Sequence, residues 1–232
     1  MTAVGLPSET VLDNPAYASL HGAHAHLAER VGNAVRYPAD VSPFTALPDD
    51  TSARDWADLA ELIGPGGRVS LSSAVVLRPP AGWSAEFSGE GVQLVGDDVR
   101  PGVDERAVPL GSDDVPAMLD LVARTAPGPF ETRTVDLGDY YGIIEDGRLV
   151  AMAGERLRPP GWTEISAVCT DPRVRGRGLA TALVLTVAAG IRARGETPFL
   201  HAAADNTNAI RLYESLGFRR RRRVLFTSLI AP

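Results

Sequence analysis

Lysine is absent from this sequence, all 23 of its basic residues being arginine. That alone rules out a P-loop, whose phosphate grip needs a Lys followed by Ser or Thr. Cysteine is nearly absent too. The single Cys169 cannot form an internal disulfide and agrees with a reducing compartment. No uninterrupted apolar run approaches the roughly 18 residues of a membrane span. The opening MTAVGLPSET has neither the basic nor the apolar region of an export signal. A soluble, intracellular protein of the cytoplasm, with no membrane partner, is therefore expected. What is present is a chain of 232 residues, 44% hydrophobic and 22% charged, enough for one large domain or two small ones. Its net charge of −6 does not suit a general nucleic-acid binder.

Charge is unevenly spread. Residues 1–103 hold 6 Arg against 13 Asp and Glu, a balance of −7, whereas residues 104–232 hold 17 Arg against 16, a balance of +1. The second half is the better place for a polyanionic ligand. Pro/Gly punctuation at "GPGGR", "RPPAGW" and "RPG" puts a domain boundary near residue 103, giving an N-terminal region 1–103 and a C-terminal domain 104–232. In the first, helices are expected around 14–32 and 53–63 and strands around 68–77 and 84–95. The "HGAHAH" stretch brings together His21, His24 and His26. Its spacing does not put three imidazoles on one helical face, and no Cys or carboxylate cluster accompanies it, so no metal site is expected.

After residue 103 the elements alternate. "AVPLG" (107–111) reads as a strand and "SDDVPAMLDLVART" (112–125) as a capped amphipathic helix. "YYGIIEDGRLVAMAGERL" reads as a hairpin around Asp146-Gly147, and "TEISAVCT" (163–170) as a third strand. From Leu179 an almost wholly apolar face repeats at i, i+3 and i+4 until Gly195, so this helix must pack on a sheet. "TPFLHAA" (197–203) is a short strand. "NTNAIRLYESLGF" (206–218) is a helix capped by Asn206 and stopped by Gly217.

Between the strand ending at Thr170 and the apolar helix lies "DPRVRGRGLA". Gly176 and Gly178 let the backbone approach a ligand closely, and the turn feeds a helix N-terminus, whose free N–H groups favour an anion such as pyrophosphate. A dinucleotide fingerprint fails at Thr181, where its third glycine belongs, and Glu196 precedes the next strand rather than ending it. The remaining pattern is R-x-x-G-x-G at Arg173, Gly176 and Gly178. Glu155 and Glu164 interrupt apolar strands, and a carboxylate there needs either a task or a partner. Each reads equally as a base or as an ion pair to Arg156 or Arg158 on a solvated face. His201 admits the same two readings, base or satisfied core histidine. Cys169, with no nearby histidine in sequence, reads as a packed thiol rather than a nucleophile.

Residues 107–226 resemble the GCN5-related N-acetyltransferase (GNAT) superfamily. The R-x-x-G-x-G turn resembles its pyrophosphate loop for acetyl-CoA. "NAIRLYESLGF" resembles its second signature at Asn206, Ala209, Tyr213, Gly217 and Phe218, and "MAGERLRPPGWTEISAVCTDPRVRGRGLA" resembles the FR47-like branch. The resemblance implies an α/β (α+β) fold with a mixed, mostly antiparallel sheet flanked by helices. It implies an N-acetyltransferase using acetyl-CoA as co-substrate, without metal, on a primary amine of a small molecule or peptide by direct attack. Tyr213 would be the general acid. Arg173, Arg175, Gly176, Arg177, Gly178, Leu179, Ala180 and Thr181 would hold the pyrophosphate, chiefly by backbone N–H groups. Val168, Cys169 and Thr170 would pair with the pantetheine, which Asn206 would also touch, and Glu164, then Glu155, would take the amine proton. The different-class alternative is a catalytically weak acyl-CoA-binding regulatory module. The first hundred residues are either a degenerate copy of the same fold, a wall of the acceptor site or a homodimer contact. The run Arg219 to Arg223 would open the last strand and alternate between its faces, beside the cofactor or the acidic N-terminal half, rather than grip nucleic acid.

Overall fold

The computed structural model describes residues 7–73 and 77–232. The chain opens with a 3-10 turn (Glu9–Asp13) and α1 (Pro15–Leu20). A small antiparallel sheet follows, made of β1 (Glu29–Val31), β2 (Ala34–Arg36) and β3 (Thr45–Ala46). The helix expected over 14–32 therefore ends at Leu20, and after a turn and a short 3-10 segment (Ala25–Leu27) its last residues form the first strand of a hairpin. The Gly32-Asn33 turn explains the difference: Gly32 has φ of +53°, and a Cβ there would lie 1.9 Å from Asp58 Oδ2, while the Asn33 side chain donates to Asp55 Oδ1 at 2.9 Å. Gly-Asn between two short β-prone runs is a hairpin signal that outweighs the helical periodicity around it.

Next come α2 (Ala53–Ile63), β4 (Arg68–Ser73) and β5 (Ser84–Val95). Ser52 and Asp55 form a reciprocal capping box that starts α2. The strand expected over 68–77 is seen to Ser73, and positions 74–76 of it lie outside the described residues. The second half supplies β6 (Val108–Leu110), α3 (Val115–Thr125), β7 (Tyr140–Glu145), β8 (Arg148–Glu155), β9 (Trp162–Thr170), α4 (Leu179–Ala193), β10 (Thr197–Ala203), α5 (Thr207–Ser215) and β11 (Arg219–Ile230).

Eight of these strands form one sheet in the order β4-β11-β5-β10-β9-β8-β7-β6. Every pairing is antiparallel except β9 with β10. The boundary expected near residue 103 lies in the β5–β6 connection, and both sides of it feed this sheet: β5 runs between β10 and β11. On one face, Leu183, Val184, Val187 and Ile191 of α4 pack against Leu94, Ile165 and Leu200. On the other, Leu12, Leu20 and Tyr37 pack against Val95, Trp162 and Phe199. Each large apolar side chain buried this way contributes roughly 1.5–3 kcal/mol, so the two halves are held by a shared core as well as a shared sheet. Among the described residues no helix is long and apolar enough to cross a membrane.

Candidate functional site

The centre of the sheet is forked. β9 and β10 pair in parallel only at Trp162–Thr197, Thr163–Pro198 and Glu164–Phe199. Beyond these, β9 stays with β8 as far as Thr170 and β10 with β5 as far as Ala203. The two strands thus turn unpaired backbone edges toward each other, and an edge of free N–H and C=O groups is a template for an extended ligand. A bulge lies on the β9 arm, where Ala167 and Val168 stand against the single residue between Met152 and Gly154. Ala167 there has φ of +52°, a left-handed conformation costing roughly 1–3 kcal/mol in a residue other than glycine. Bulges of this kind re-aim backbone groups next to functional sites.

The fork opens into a cavity of about 1000 Å³ lined by β9 from Ile165 to Thr170, by Ala202 and Ala203 of β10, by the 174–181 turn and by α5. Of the expected site residues, Val168, Cys169, Thr170, Arg175, Gly176, Gly178, Leu179, Ala180, Thr181, Asn206 and Tyr213 line it. Arg173, Arg177, Glu155 and Glu164 are not among the lining residues. Gly176 and Gly178 have φ of +79° and +75°, and a Cβ at either would meet nothing within 4 Å. Backbone geometry and an open approach, not crowding, thus account for glycine here. Gly178 caps α4, so the free N–H groups of this fifteen-residue helix begin at the cavity.

The arginines of the turn are unequal. Arg173 donates to Asp171, at 3.1 Å through Nε and 2.9 Å through Nη2, and holds that carboxyl well below the usual range; Arg124 also contacts Asp171. Arg177 donates to both oxygens of Glu145, at 2.9 and 2.8 Å. Arg175 has no carboxylate partner among the described residues; its Nε donates to the Thr170 carbonyl at 3.2 Å.

Tyr213 comes from the buried face of α5 and packs edge-on against Phe218. Burial first, then the neighbouring Cys169, pushes its phenol up to about 12, so it stays protonated and able to donate at neutral pH. Burial likewise pushes the Cys169 thiol up to about 11, which makes it a poor nucleophile. Asn206 caps α5, its Oδ1 accepting from Ala209 N at 3.2 Å.

The two carboxylates part company. Glu155 ends β8 and accepts from Arg194 at 2.6 Å; burial raises its pKa, against the pull of that guanidinium. Glu164 has no solvent exposure. Its two oxygens accept from Arg156 Nε at 2.8 Å and Nη2 at 2.6 Å, and its Oε1 lies 2.6 Å from His201 Nδ1. Burial would raise its pKa, but the Arg156 guanidinium above all, with the His201 hydrogen bond beside it, holds the carboxyl well below the usual range. Arg156 and His201 themselves line the cavity, with Glu164 behind them. Sequence reasoning assigned no part to Arg156 beyond an ion pair, and none to the Thr125–Gly128 loop that closes one side; the left-handed Ala126 and Gly128 are the local sign that this loop is shaped.

Comparison with known proteins gives this fork its context. A family model described as FR47-like protein matches residues 140–227. The crystal structure of a candidate acetyltransferase of the GNAT family from Novosphingobium aromaticivorans superposes with a TM-score of 0.88 at 42% identity, over 95% of this chain and 98% of that one. The chain belongs to the GNAT family of acetyltransferases, in its FR47-like branch. Among curated relatives, a mycothiol acetyltransferase of Thermomonospora curvata is 35% identical over 102 residues, 44% of this chain and 33% of that protein. An N-alpha-acetyltransferase RimI of Mycobacterium tuberculosis is 38% identical over 84 residues, 35% of this chain and 52% of that one. The matches thus span a third to a half of these two relatives' own lengths.

Proposed function

We propose that the protein transfers the acetyl group of acetyl-CoA to a primary amine by direct attack of the amine on the thioester. The observation that carries the reading is the fork: two unpaired strand edges leading from a tyrosine to a glycine turn at a helix N-terminus. Amide groups of a pantetheine arm match such edges hydrogen bond for hydrogen bond, and a pyrophosphate suits the 175–181 backbone. Arg175 would add charge, whereas Arg173 and Arg177, already paired, would shape the turn.

On this reading the β9 backbone at the bulge donates to the thioester oxygen as negative charge builds on it. Tyr213 then protonates the departing sulfur. Its high pKa opposes that step less than it first suggests, because the burial that raises Cys169 in the same wall would raise a CoA thiolate there too. Asn206 would orient the arm next to Tyr213. Glu164, saturated and already ionised, serves as a fixed negative charge that positions Arg156 and His201 at the cavity wall, while water takes the amine proton outward. Glu155, committed to Arg194, has a structural part. Matched relatives are named for mycothiol and for N-alpha-acetylation, so small-molecule amines and peptide N-termini are the acceptor classes to screen.

The test is thiol release from acetyl-CoA with an amine panel, in wild type and Tyr213→Phe. General acid catalysis is worth about 10²–10⁴-fold, so the variant should lose roughly 100-fold in kcat while its acetyl-CoA affinity holds within about twofold. Binding without turnover on any amine would instead favour an acyl-CoA-binding regulatory module.

A further inference from the structure

Among the buried side chains that tie the wall of the cavity to the N-terminal half is Gln93 of β5, which has no solvent exposure. Its three partners fix every polar atom it has. Arg221 Nη1 donates to Gln93 Oε1 at 2.8 Å, and a guanidinium can only donate. Gln93 Nε2 donates to the Leu12 carbonyl at 2.8 Å, and a carbonyl can only accept. The amide orientation is therefore dictated by chemistry, and its second N–H faces His201 Nε2 at 3.0 Å. An amide nitrogen does not accept, so Nε2 must carry the lone pair. In a neutral imidazole the proton then sits on Nδ1, which lies 2.6 Å from Glu164 Oε1. Glu164 in turn accepts from Arg156 through both oxygens. An imidazolium would set N–H against N–H at Gln93. A protonated Glu164 would need Nδ1 bare as well. Only one distribution of protons satisfies all four side chains.

We propose that Gln93 is a positioning residue of the transferase site: its N–H keeps His201 Nε2 free of a proton, so that His201 meets the Glu164–Arg156 pair at the cavity as a neutral Nδ1–H donor. The lock originates in the first half of the chain, because Gln93 is itself oriented by Arg221, and Arg221 is held by Glu9 and Asp13 at 3.1 and 2.6 Å. The other groups packed on His201 are the rings of Phe199 and Phe226, edge-on at 5.7 and 5.9 Å, which carry no charge. Around Glu164 the remaining ionisable neighbours are Tyr37 and Tyr140, both raised by burial and so neutral.

The positioning role rests on the proposed acetyl transfer; the tautomer does not. The test is long-range ¹H–¹⁵N correlation of the imidazoles in the full-length protein, assigned by a His201→Asn control. Wild type should show His201 protonated on Nδ1 and bare on Nε2. In Gln93→Glu a carboxylate faces Nε2, and His201 should become an imidazolium between two anions. In Gln93→Leu, which removes the donor without adding charge, Nδ1–H stays on Glu164 and nothing opposes a second proton on Nε2, so His201 should take one as the pH falls. With an accepted amine, both variants should lose roughly ten- to a hundredfold in kcat, keep the KM for acetyl-CoA, and differ from wild type in pH profile. A proton on Nε2 in wild type, or variants in which Nε2 stays bare and the pH profile matches wild type, would overturn the proposal. If wild type acetylates no amine, the transfer reading fails, and the lock is still decided by the imidazole spectra alone.

Discussion

Two stretches of this chain are crowded with arginine, 173–177 and 219–223, and they differ in what the backbone does between the side chains. In the run Arg219–Arg223 the backbone is committed to the ladder with β5, and the guanidinium groups meet carboxylates: Arg219 with Glu9 and Asp97, Arg220 with Glu214, Arg221 and Arg222 with Asp13, and Arg223 with Glu90 at 3.9 Å. In the turn, two arginines of three are likewise spent on carboxylates. Yet Gly176 and Gly178 leave backbone N–H groups open on a cavity. On the proposed reading, a polyanion site would be marked by uncommitted backbone donors rather than by the density of positive side chains.

The comparison breaks most readily at Gly176. Gly176→Glu sets a carboxylate and a strained backbone in the turn and should weaken acetyl-CoA by at least about 100-fold, near 3 kcal/mol, in calorimetry. Replacing Arg219, Arg220 and Arg223 together by serine should leave that affinity within about twofold, and the reverse pattern would mean that the side-chain run is the grip after all.

An effect of similar size on stability belongs to the unit that supplies Glu9 and Asp13. His24 is buried there between the Tyr37 hydroxyl, at 2.8 Å, and the Leu137 carbonyl, at 3.1 Å, and burial lowers its pKa to about 4. The unfolded chain binds that proton near pH 6.5, so its stabilising contribution is whole above that and is lost as the pH falls toward 4. The full loss is about 3 kcal/mol. Denaturant titrations at pH 7.5 and pH 4.5 should show the decline, and it should shrink in a His24→Phe variant.

Arg221→Ser should cost somewhat less, about 2–3 kcal/mol, because it strands the buried Gln93 oxygen and removes one of the two arginine partners of Asp13. Arg223→Ser, with 85% of its side chain exposed, should change stability by under about 0.5 kcal/mol. Equal effects at the two positions would mean that the run acts as a bulk charge rather than through individual contacts.

Local pattern carried most of the C-terminal fold. The apolar face of α4, the Asp146-Gly147 hairpin and the Asn206 cap are each written in one short local stretch of sequence. The N-terminal hairpin was legible at Gly32-Asn33 but was masked by a periodicity that suited a helix equally well. Sequence could not reveal that β5 lies between β10 and β11, since nothing local to residues 84–95 names a partner more than a hundred residues away. For the same reason the bond from Gln93 to His201 was out of reach, although each residue alone stood in a strand. Glu164 illustrates the limit at the site itself: pattern showed a carboxylate among apolar residues with Arg156 near in sequence, but not that the pair would be buried with His201 on its other side.

The place of β5 also bears on how this protein could be divided. A fragment beginning near residue 103 would keep the glycine turn, Tyr213 and both walls of the cavity, yet it would lack the strand between β10 and β11. The β10 edge carrying His201 would be bared without Gln93, and β11, with β4 gone as well, would lose both neighbours and the carboxylates of the arginine run apart from Glu214 beside Arg220. Bare edges recruit strands from neighbouring molecules, so such a fragment should self-associate through β10 and β11.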